Sequence, residues 1–405
     1  MKLYKLSSQL LETKSHKYSR PIVRLSIIGV ALGLVIIILA LFITQGYKKA
    51  IREKVVSMGS HIRISNYDHN LSFAPVPFNR NQPFIQRLKA NPHVEKIQYY
   101  TTRVGILKAK DQVEGIVFKG VDTSFSWSLF EPNLIKGERE DFGAEKTSNA
   151  LYISKRIANK LEVGVGDKVT AFYVQDPPRQ RNLKIAGIFE TFLPDFDDKM
   201  ALVDLRLLQR LNNWDSSQIG GIEILIDDYE KIDQLGTEIN LDIGYELKAE
   251  TIKQIYPNIF EWLNLFDTNV IVLLVITLFV SIITMISTFF IIVLEQTRTI
   301  GILKTLGMET RALFKLFVLM GTRLILKGMI YGNLIALSLA WVQSHFKILT
   351  LDPETYYLSY IPMDLNVYTL LYANVGVYAV CMGALLLPAL YVSHKITPIN
   401  AIRFD

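Results

Sequence analysis

"EQTRTIGILKTLGM" (residues 295–308) follows one of the longest apolar runs of the chain, yet it sets Glu295, Arg298 and Lys304 at helical spacing. What this segment interrupts is the first clue to the fold. Residues 268–294 contain no Asp, Glu, Lys or Arg, and the same holds for 25–47, 328–346 and 365–394. Each run is long enough to cross about 30 Å of hydrocarbon as a helix rising about 1.5 Å per residue. Four transmembrane helices are therefore expected, with the charged segment between the second and the third. "LSIIGVALGLVIIILALFIT" (25–44) exceeds the roughly 7–15 apolar residues of a cleaved signal and lacks its small-residue ending, so it reads as a membrane helix.

Half of the 405 residues are apolar and 20% are charged. The charged share lies below the roughly 25% of soluble domains, which points away from an ordinary cytosolic enzyme. Lys2, Lys5, Lys14, Lys17, Arg20 and Arg24 precede the first run against the single acid Glu12, which puts the N-terminus in the cytoplasm. Lys48, Lys49, Arg52 and Lys54 argue the other way, but charge bias weakens ahead of a long translocated segment. Four crossings return the C-terminus to the cytoplasm. The net charge of +6 follows from this topology and asks for no nucleic-acid partner. Cys381, the lone cysteine, lies in the fourth run, which excludes a disulfide or a cysteine-based metal site within one chain.

Residues 48–267 have mixed composition and suffice for one large or two small folded domains outside the membrane. "HIRIS" (61–65), "EGIVFKGVD" (114–122), "KVTAFYV" (168–174), "NLKIAGIF" (182–189) and "GIEILID" (221–227) read as strands. "PFIQRLKANP" (83–92), "ISKRIANKLEV" (153–163), "DLRLLQRLNN" (204–213) and "DYEKIDQLGTEIN" (228–240) read as helices. The expected class is thus an integral membrane α-helical protein carrying a large α+β extracytoplasmic domain between helices 1 and 2. A helical stalk is expected from about residue 257 into the second span. Residues 309–327, "ETRALFKLFVLMGTRLILK", are amphipathic and read as interfacial, running into the third span. A short loop (347–364), the fourth span (365–394) and a cytoplasmic tail (395–405) complete the chain. Gly29/Gly33 and Gly328/Gly332 are small-xxx-small pairs that permit close helix contact, including dimerisation.

Catalytic signals are missing. No glycine is followed by lysine, so there is no P-loop, and neither a Gly-x-Ser-x-Gly elbow nor a His-Glu-x-x-His motif occurs. The six histidines show no ligand spacing, so no metal site is expected. Any ATP use, with its Mg, must belong to a partner. Read as a helix, 295–308 repeats Ile300, Leu303 and Leu306 or Gly307 at spacings of three and four, opposite Arg298 and Lys304. Such a stripe suits docking in a groove of a cytoplasmic protein. Gly301 and Gly307 weaken an isolated helix there, so contact with something else has to stabilise it.

"LEQTRTIGILKTLGM" (294–308) resembles the signature of FtsX-type ABC transporter permeases, the type VII systems with a MacB-like fold. In that family the segment is the coupling helix that contacts an ABC ATPase. The resemblance implies that Glu295, Arg298, Ile300, Gly301, Leu303, Lys304, Leu306 and Gly307 form the ATPase contact. Four further stretches are similar to the lipoprotein-releasing LolC/LolE subgroup. They are "RPIVRLSIIGVALGLVIIILALFITQGYKKAIREKVVSMGSHIRI" (20–64), "ISKRIANKLEVGVGDKVTAFYV" (153–174), "DPETYYLSYIP" (352–362) and the ending "SHKITPINAIRFD" (393–405).

The subgroup resemblance implies a permease subunit of the bacterial inner membrane. It would extract lipoproteins and pass them to a periplasmic carrier (LolA-like), working with a cytoplasmic ATPase dimer (LolD-like) and a second permease subunit, the same chain or a paralogue. "PPRQRN" resembles the end of the hairpin that captures the carrier, which marks Pro177, Pro178, Arg179, Gln180 and Arg181, although the preceding loop is shorter than expected for the subgroup. Leu41, Phe42, Leu263, Phe266 and Val270, near the periplasmic ends of helices 1 and 2, are the candidates for lining the lipoprotein cavity among membrane lipid. Two related readings share the signature: a MacB-like export permease and an FtsX-like regulator of a cell-wall hydrolase. The first usually carries a fused N-terminal ATPase, and the second a smaller insert.

Overall fold

The computed structural model describes residues 19–67, 75–140, 142, 147–175 and 177–395. The expectations placed on 1–18 and on 396–405 lie outside the described residues. In chain order the helices are α1 (Ser19–Met58), α2 (Pro83–Ala90), α3 (Trp127–Phe130), α4 (Lys155–Leu161), α5 (Pro194–Asp197), α6 (Leu205–Leu211), α7 (Ile232–Asp242), α8 (Ile252–Ile255), α9 (Pro257–Glu295), α10 (Thr297–Thr305), α11 (Thr310–Phe346), α12 (Pro353–Tyr356) and α13 (Val367–Lys395). The strands are β1 (Ile62–Asn66), β2 (Phe78–Asn79), β3 (Val94–Ala109), β4 (Gln112–Val121), β5 (Leu134–Gly137), β6 (Ala150–Ser154), β7 (Lys168–Tyr173), β8 (Arg179–Phe189), β9 (Met200–Asp204), β10 (Gln218–Ile219), β11 (Gly221–Ile226) and β12 (Leu247–Thr251). The chain divides into two compact units, one of residues 50–261 with 351–359, the other of 1–49, 262–350 and 360–405.

The first unit is α+β. Its sheet follows the order β12-β1-β11-β3-β4-β9-β6-β8-β5, and β7 pairs with both β3 and β8. Strands β3, β4, β9, β6, β8 and β7 therefore close into a ring, which removes their free edges. Leu107, Ile116, Phe118, Leu151, Ile153, Ala171, Leu183, Ile185 and Val203 fill its buried core, with Ile157, Leu161, Leu207 and Leu208 of α4 and α6 packed against them. Gly105 permits the closure, because a Cβ there would lie 2.8 Å from the Phe118 ring and 2.7 Å from the Phe172 carbonyl. β12, β1 and β11 form a wing beyond the ring. Ser154 and Asp204 start α4 and α6 by accepting from Ile157 N and Arg206 N, so a strand hands over directly to a helix at each site.

The second unit is helical. Among the described residues, three helices are long and apolar enough to cross a membrane: α1 over Val23–Met58, α9 over Pro257–Glu295, and α13 over Val367–Leu390. The expected third span lies within α11, which is not among them. That helix is 37 residues long, but it carries Arg311, Lys315, Arg323 and Lys327 ahead of Asn333, Gln343 and His345. Asn333 and Asn374 exchange side-chain amide hydrogen bonds at 2.7 and 2.9 Å between α11 and α13. The shared core includes Leu34, Ile38, Phe42, Phe289, Phe317, Met320, Leu324 and Leu385.

The glycine pairs are used inside the chain. A Cβ on Gly33 would meet Ser281 Oγ at 2.5 Å, and one on Gly29 would meet Thr284 at 3.0 Å. Gly328 and Gly332 of α11 face α1, where a Cβ on Gly332 would lie 2.9 Å from the Ala31 carbonyl. Backbone cannot yield as a side chain does, and overpacking costs about 1–3 kcal/mol or more. Gly332→Leu should therefore lower the melting temperature of the detergent-solubilised chain. Gly376→Leu should leave it unchanged, because nothing lies within 4 Å of a Cβ there.

Candidate functional site

The charged segment at 295–308 contains α10, set off from α9 at Gln296, a buried residue that is not helical itself. Its end is fixed by two backbone bonds, from Gly307 N to Lys304 O at 3.0 Å and from Met308 N to Leu303 O at 3.0 Å. This is a Schellman ending, and it requires the left-handed φ of +89° that glycine supplies at 307. Ile300 is 2% exposed within the helical core, and Leu303 and Met308 pack against the same cluster. Ile302 and Leu306, four residues apart, stand out at 51% and 79% exposure. The expected docking stripe is therefore divided. The chain consumes Ile300 and Leu303 to seat the helix on itself, which answers the instability of Gly301 and Gly307, and turns Leu306 outward beside Ile302. Gly301 is buried and Lys304 half-buried. Glu295 is half-buried, and its Oε2, itself buried, has no hydrogen-bond partner among the described residues.

The hairpin residues are arranged differently from the sequence expectation. β7 and β8 pair from Lys168↔Lys184 to Tyr173↔Arg179, which puts Pro177 and Pro178 at an exposed tip. Gln180 and Arg181 are exposed on β8. Arg179 points back: its guanidinium donates to the carbonyls of Arg210 and Leu211 at 3.1 and 2.9 Å and to Asn213 Oδ1 at 3.0 Å. A cation on the last carbonyls of α6 complements that helix's negative end. Arg179→Glu should hence destabilise the extramembrane unit by about 1–2 kcal/mol, whereas Arg181→Glu should leave its melting temperature unchanged. Equal melting temperatures for the two variants would refute this division of roles.

Of the cavity candidates, Phe42 and Leu263 are 1% and 2% exposed, buried within the chain itself. Leu41 packs against the helical core, Phe266 stacks on Tyr47 at 4.9 Å between ring centroids, and Val270 is half-buried. This corrects the expectation for Phe42 and Leu263, whose side chains the chain uses for its own packing. The outward apolar positions of α9 instead include Leu265, Val272, Ile276 and Phe279, all more than half exposed.

A buried charge network joins the extramembrane ends of both long helices. Lys119 and Glu223, on β4 and β11, are each 1% exposed, and Lys119 Nζ donates to the two Glu223 oxygens at 2.7 and 2.9 Å. The same ammonium donates at 2.6 Å to the carbonyl of Met58, the last residue of α1. Burial pulls the Lys119 ammonium below the ordinary lysine range, against the pull of Glu223. Arg63 on β1 lies beside Tyr256, the residue just before α9. A cavity of about 210 Å³, lined in part by Arg63, Tyr100, Lys119, Glu223 and Tyr256, opens beside them. Among the described residues, no group of three His, Cys, Asp or Glu could hold a metal ion.

Residues 24–241, more than half of the chain, match the MacB-like periplasmic core domain family, and residues 271–396 match the FtsX-like permease C-terminal family. The chain belongs to the FtsX-type permeases with a MacB-like periplasmic domain. It is similar to the lipoprotein-releasing system transmembrane protein LolC of Xylella fastidiosa, at 21% identity over 94% of this chain and 93% of that one. LolE of Haemophilus influenzae is 22% identical over 91% of each chain, and LolC of Neisseria meningitidis 23% over 95% and 94%. Among solved structures, the extracellular domain of the ABC-type transporter YknZ from Gram-positive bacteria matches at TM-score 0.31 and 12% identity, covering 47% of this chain and 99% of that one. The periplasmic region of MacB from Actinobacillus actinomycetemcomitans matches at TM-score 0.32 and 13% identity, covering 52% and 97%. The protein is thus an ABC transporter permease of the LolC/LolE type, a family that implies an ATPase partner.

Two features of this permease escaped the sequence reading. Ile302 lies four residues before Leu306 on one helical face, a spacing as regular as that of the competing stripe of Ile300 and Leu303. Lys119 and Glu223 each carry a signal that sequence offers, a single charge within an otherwise apolar strand run. Their pairing depends on two strands that are not neighbours in the sheet, since β3 lies between β11 and β4.

Proposed function

We propose that the permease couples ATP hydrolysis by a separate cytoplasmic ATPase dimer to mechanical extraction of lipoproteins from the outer leaflet of the bacterial inner membrane, and to their transfer to a periplasmic carrier. The observation that carries this reading is similarity to lipoprotein-releasing permeases over nine-tenths of both chains, rather than over the signature alone. In this reading α1, α9, α11 and α13 all cross the membrane, the last three joining α1 as the fourth-helix count requires, and both termini are cytoplasmic. Each buried CH₂ of a lipid anchor is worth about 0.8 kcal/mol, so three chains of roughly 16 carbons do not leave unaided.

Work enters at α10. Ile302 and Leu306 enter the ATPase groove, Arg298 and Lys304 meet acidic groups at its rim, and Glu295 orients the end of α9. Closure of the ATPases moves α10 and α9 in each of two permease subunits. α1 and α9 carry the motion outward, and the buried network at Met58, Lys119, Glu223, Arg63 and Tyr256 anchors both helix ends in the sheet. The exposed tip at Pro177 and Pro178, with Gln180 and Arg181, receives the carrier. The outward positions on α9 contact the acyl chains.

Reconstitution in proteoliposomes with the ATPase should give ATP-dependent transfer of a triacylated lipoprotein to a soluble carrier. No transfer, with activation of a cell-wall hydrolase instead, would establish the regulator; ATP-driven export of a molecule that is not a lipoprotein would establish the MacB-like exporter.

A further inference from the structure

Lys54, near the extramembrane end of α1, gathers three separate segments at one ammonium. Its Nζ donates to the Thr191 carbonyl at 2.9 Å and to the Tyr357 carbonyl at 2.8 Å. The same nitrogen lies 4.6 Å from the centroid of the Phe192 ring. Both accepting segments hold a backbone conformation that side-chain-bearing residues rarely adopt, with φ of +61° at Phe192 and +59° at Tyr357. Such residues persist only where their surroundings over-determine them, and they concentrate at functional sites.

The surroundings are visible on both sides. Asp197, 1% exposed, accepts from Thr191 N at 3.0 Å, Thr191 Oγ1 at 2.8 Å and Phe192 N at 2.8 Å, which fixes the 191–192 turn from behind. On the other side, Asp352 accepts from Thr355 Oγ1 at 2.6 Å at the start of α12, and Leu358 is 6% exposed. Arg156 lies 3.3 Å from Asp198 and 3.7 Å from Glu354, whose side chain is 81% exposed. An exposed pair of that kind contributes little, whereas an ammonium shared between two carbonyls in a half-buried site is a charge-assisted contact.

Residues 351–359 belong to the extramembrane unit, yet they connect α11 to α13. We infer that Lys54 is a positioning residue of this permease: it clamps the loop between the last two long helices to the 191–192 turn and to α1, so that movement of those helices reaches the extramembrane unit through this junction. The functional half of the inference rests on the proposed transport cycle; the clamp itself does not.

Hydrogen exchange followed by mass spectrometry, on the full-length chain in lipid nanodiscs with its ATPase, tests it. In Lys54→Met, which keeps the aliphatic stem, amides of 353–359 should exchange at least tenfold faster while those of β4 stay at the wild-type rate, and Lys54→Arg should restore protection. On trapping with ATP and vanadate, exchange in 190–193 and in 353–359 should change together in the wild type and separately in Lys54→Met. Glu354→Gln should leave the loop protected. Exchange at 353–359 within twofold of wild type in Lys54→Met, or loss of protection in Glu354→Gln equal to that in Lys54→Met, overturns the clamp. Concerted changes that persist in Lys54→Met overturn its role in transmission. Failure of the wild type to transfer lipoprotein counts against the transport reading alone, because the exchange measurement contains no lipoprotein.

Discussion

Leu306→Asp should lower co-purification of the ATPase with the permease at least tenfold while leaving the permease folded and inserted. Leu306 is 79% exposed and lies just past the last turn of α10, so a carboxylate there changes the stability of the free chain by no more than about 0.5 kcal/mol. At an interface, an apolar anchor seated in a pocket is commonly worth about 2 kcal/mol or more, and tenfold in affinity corresponds to about 1.4 kcal/mol. Ile302→Asp should act in the same direction. Ile300→Asp should do the opposite: Ile300 is buried in the helical core, where an unpaired carboxylate costs several kcal/mol, so the expected result is loss of folded protein rather than of partner. Leu303→Asp should combine the two effects, since Leu303 packs against that core while half-exposed. Undiminished ATPase binding by Leu306→Asp and Ile302→Asp together would show that the partner grips another surface.

Lys119→Met should destabilise the extramembrane unit by about 3–5 kcal/mol, because it strands the Glu223 carboxylate in the interior without its cation. It also removes the donor to the Met58 carbonyl at the end of α1. Lys119→Met combined with Glu223→Leu should recover most of that loss, since well-packed apolar replacements of a buried pair are often neutral or stabilising. Thermal melts of the full-length protein in detergent decide it, with the single variant several degrees below wild type and the double variant near it. The double variant has a second use. If it is stable yet transfers lipoprotein poorly, the network serves to transmit motion rather than to hold the fold. A single variant as stable as wild type would mean that water reaches Glu223 and that the pair is not the anchor of α1.

The extramembrane unit shows where local pattern stops being informative. Strands such as Lys168–Tyr173 and Gly221–Ile226 were legible because their apolar runs end at turn residues. β3, the longest strand at 16 residues, was not. Its first half pairs with β11 in the wing and its second half with β7 in the ring, so its burial pattern changes partway, and Gly105 interrupts the run where closure demands it. β6 and β9 escaped for another reason. Each has five buried residues leading straight into a helix, and the helical pattern of the following residues masked them.

The sequence by itself determined the apolar runs, the charged segment that follows one of them, and the large α+β insert. These depend on composition and on spacing within single elements, which the chain carries wherever it folds. The direction of each functional side chain depended on tertiary structure. α10 bears two apolar stripes, Ile300 with Leu303 and Ile302 with Leu306, and nothing local ranks one above the other. Packing into the helical core buries Ile300 and half-buries Leu303, and so leaves Ile302 and Leu306 exposed. Arg179 was turned from a docking residue into a helix cap for the same physical reason: the carbonyl ends of α6, distant in sequence, supply the partners that its guanidinium meets in the fold.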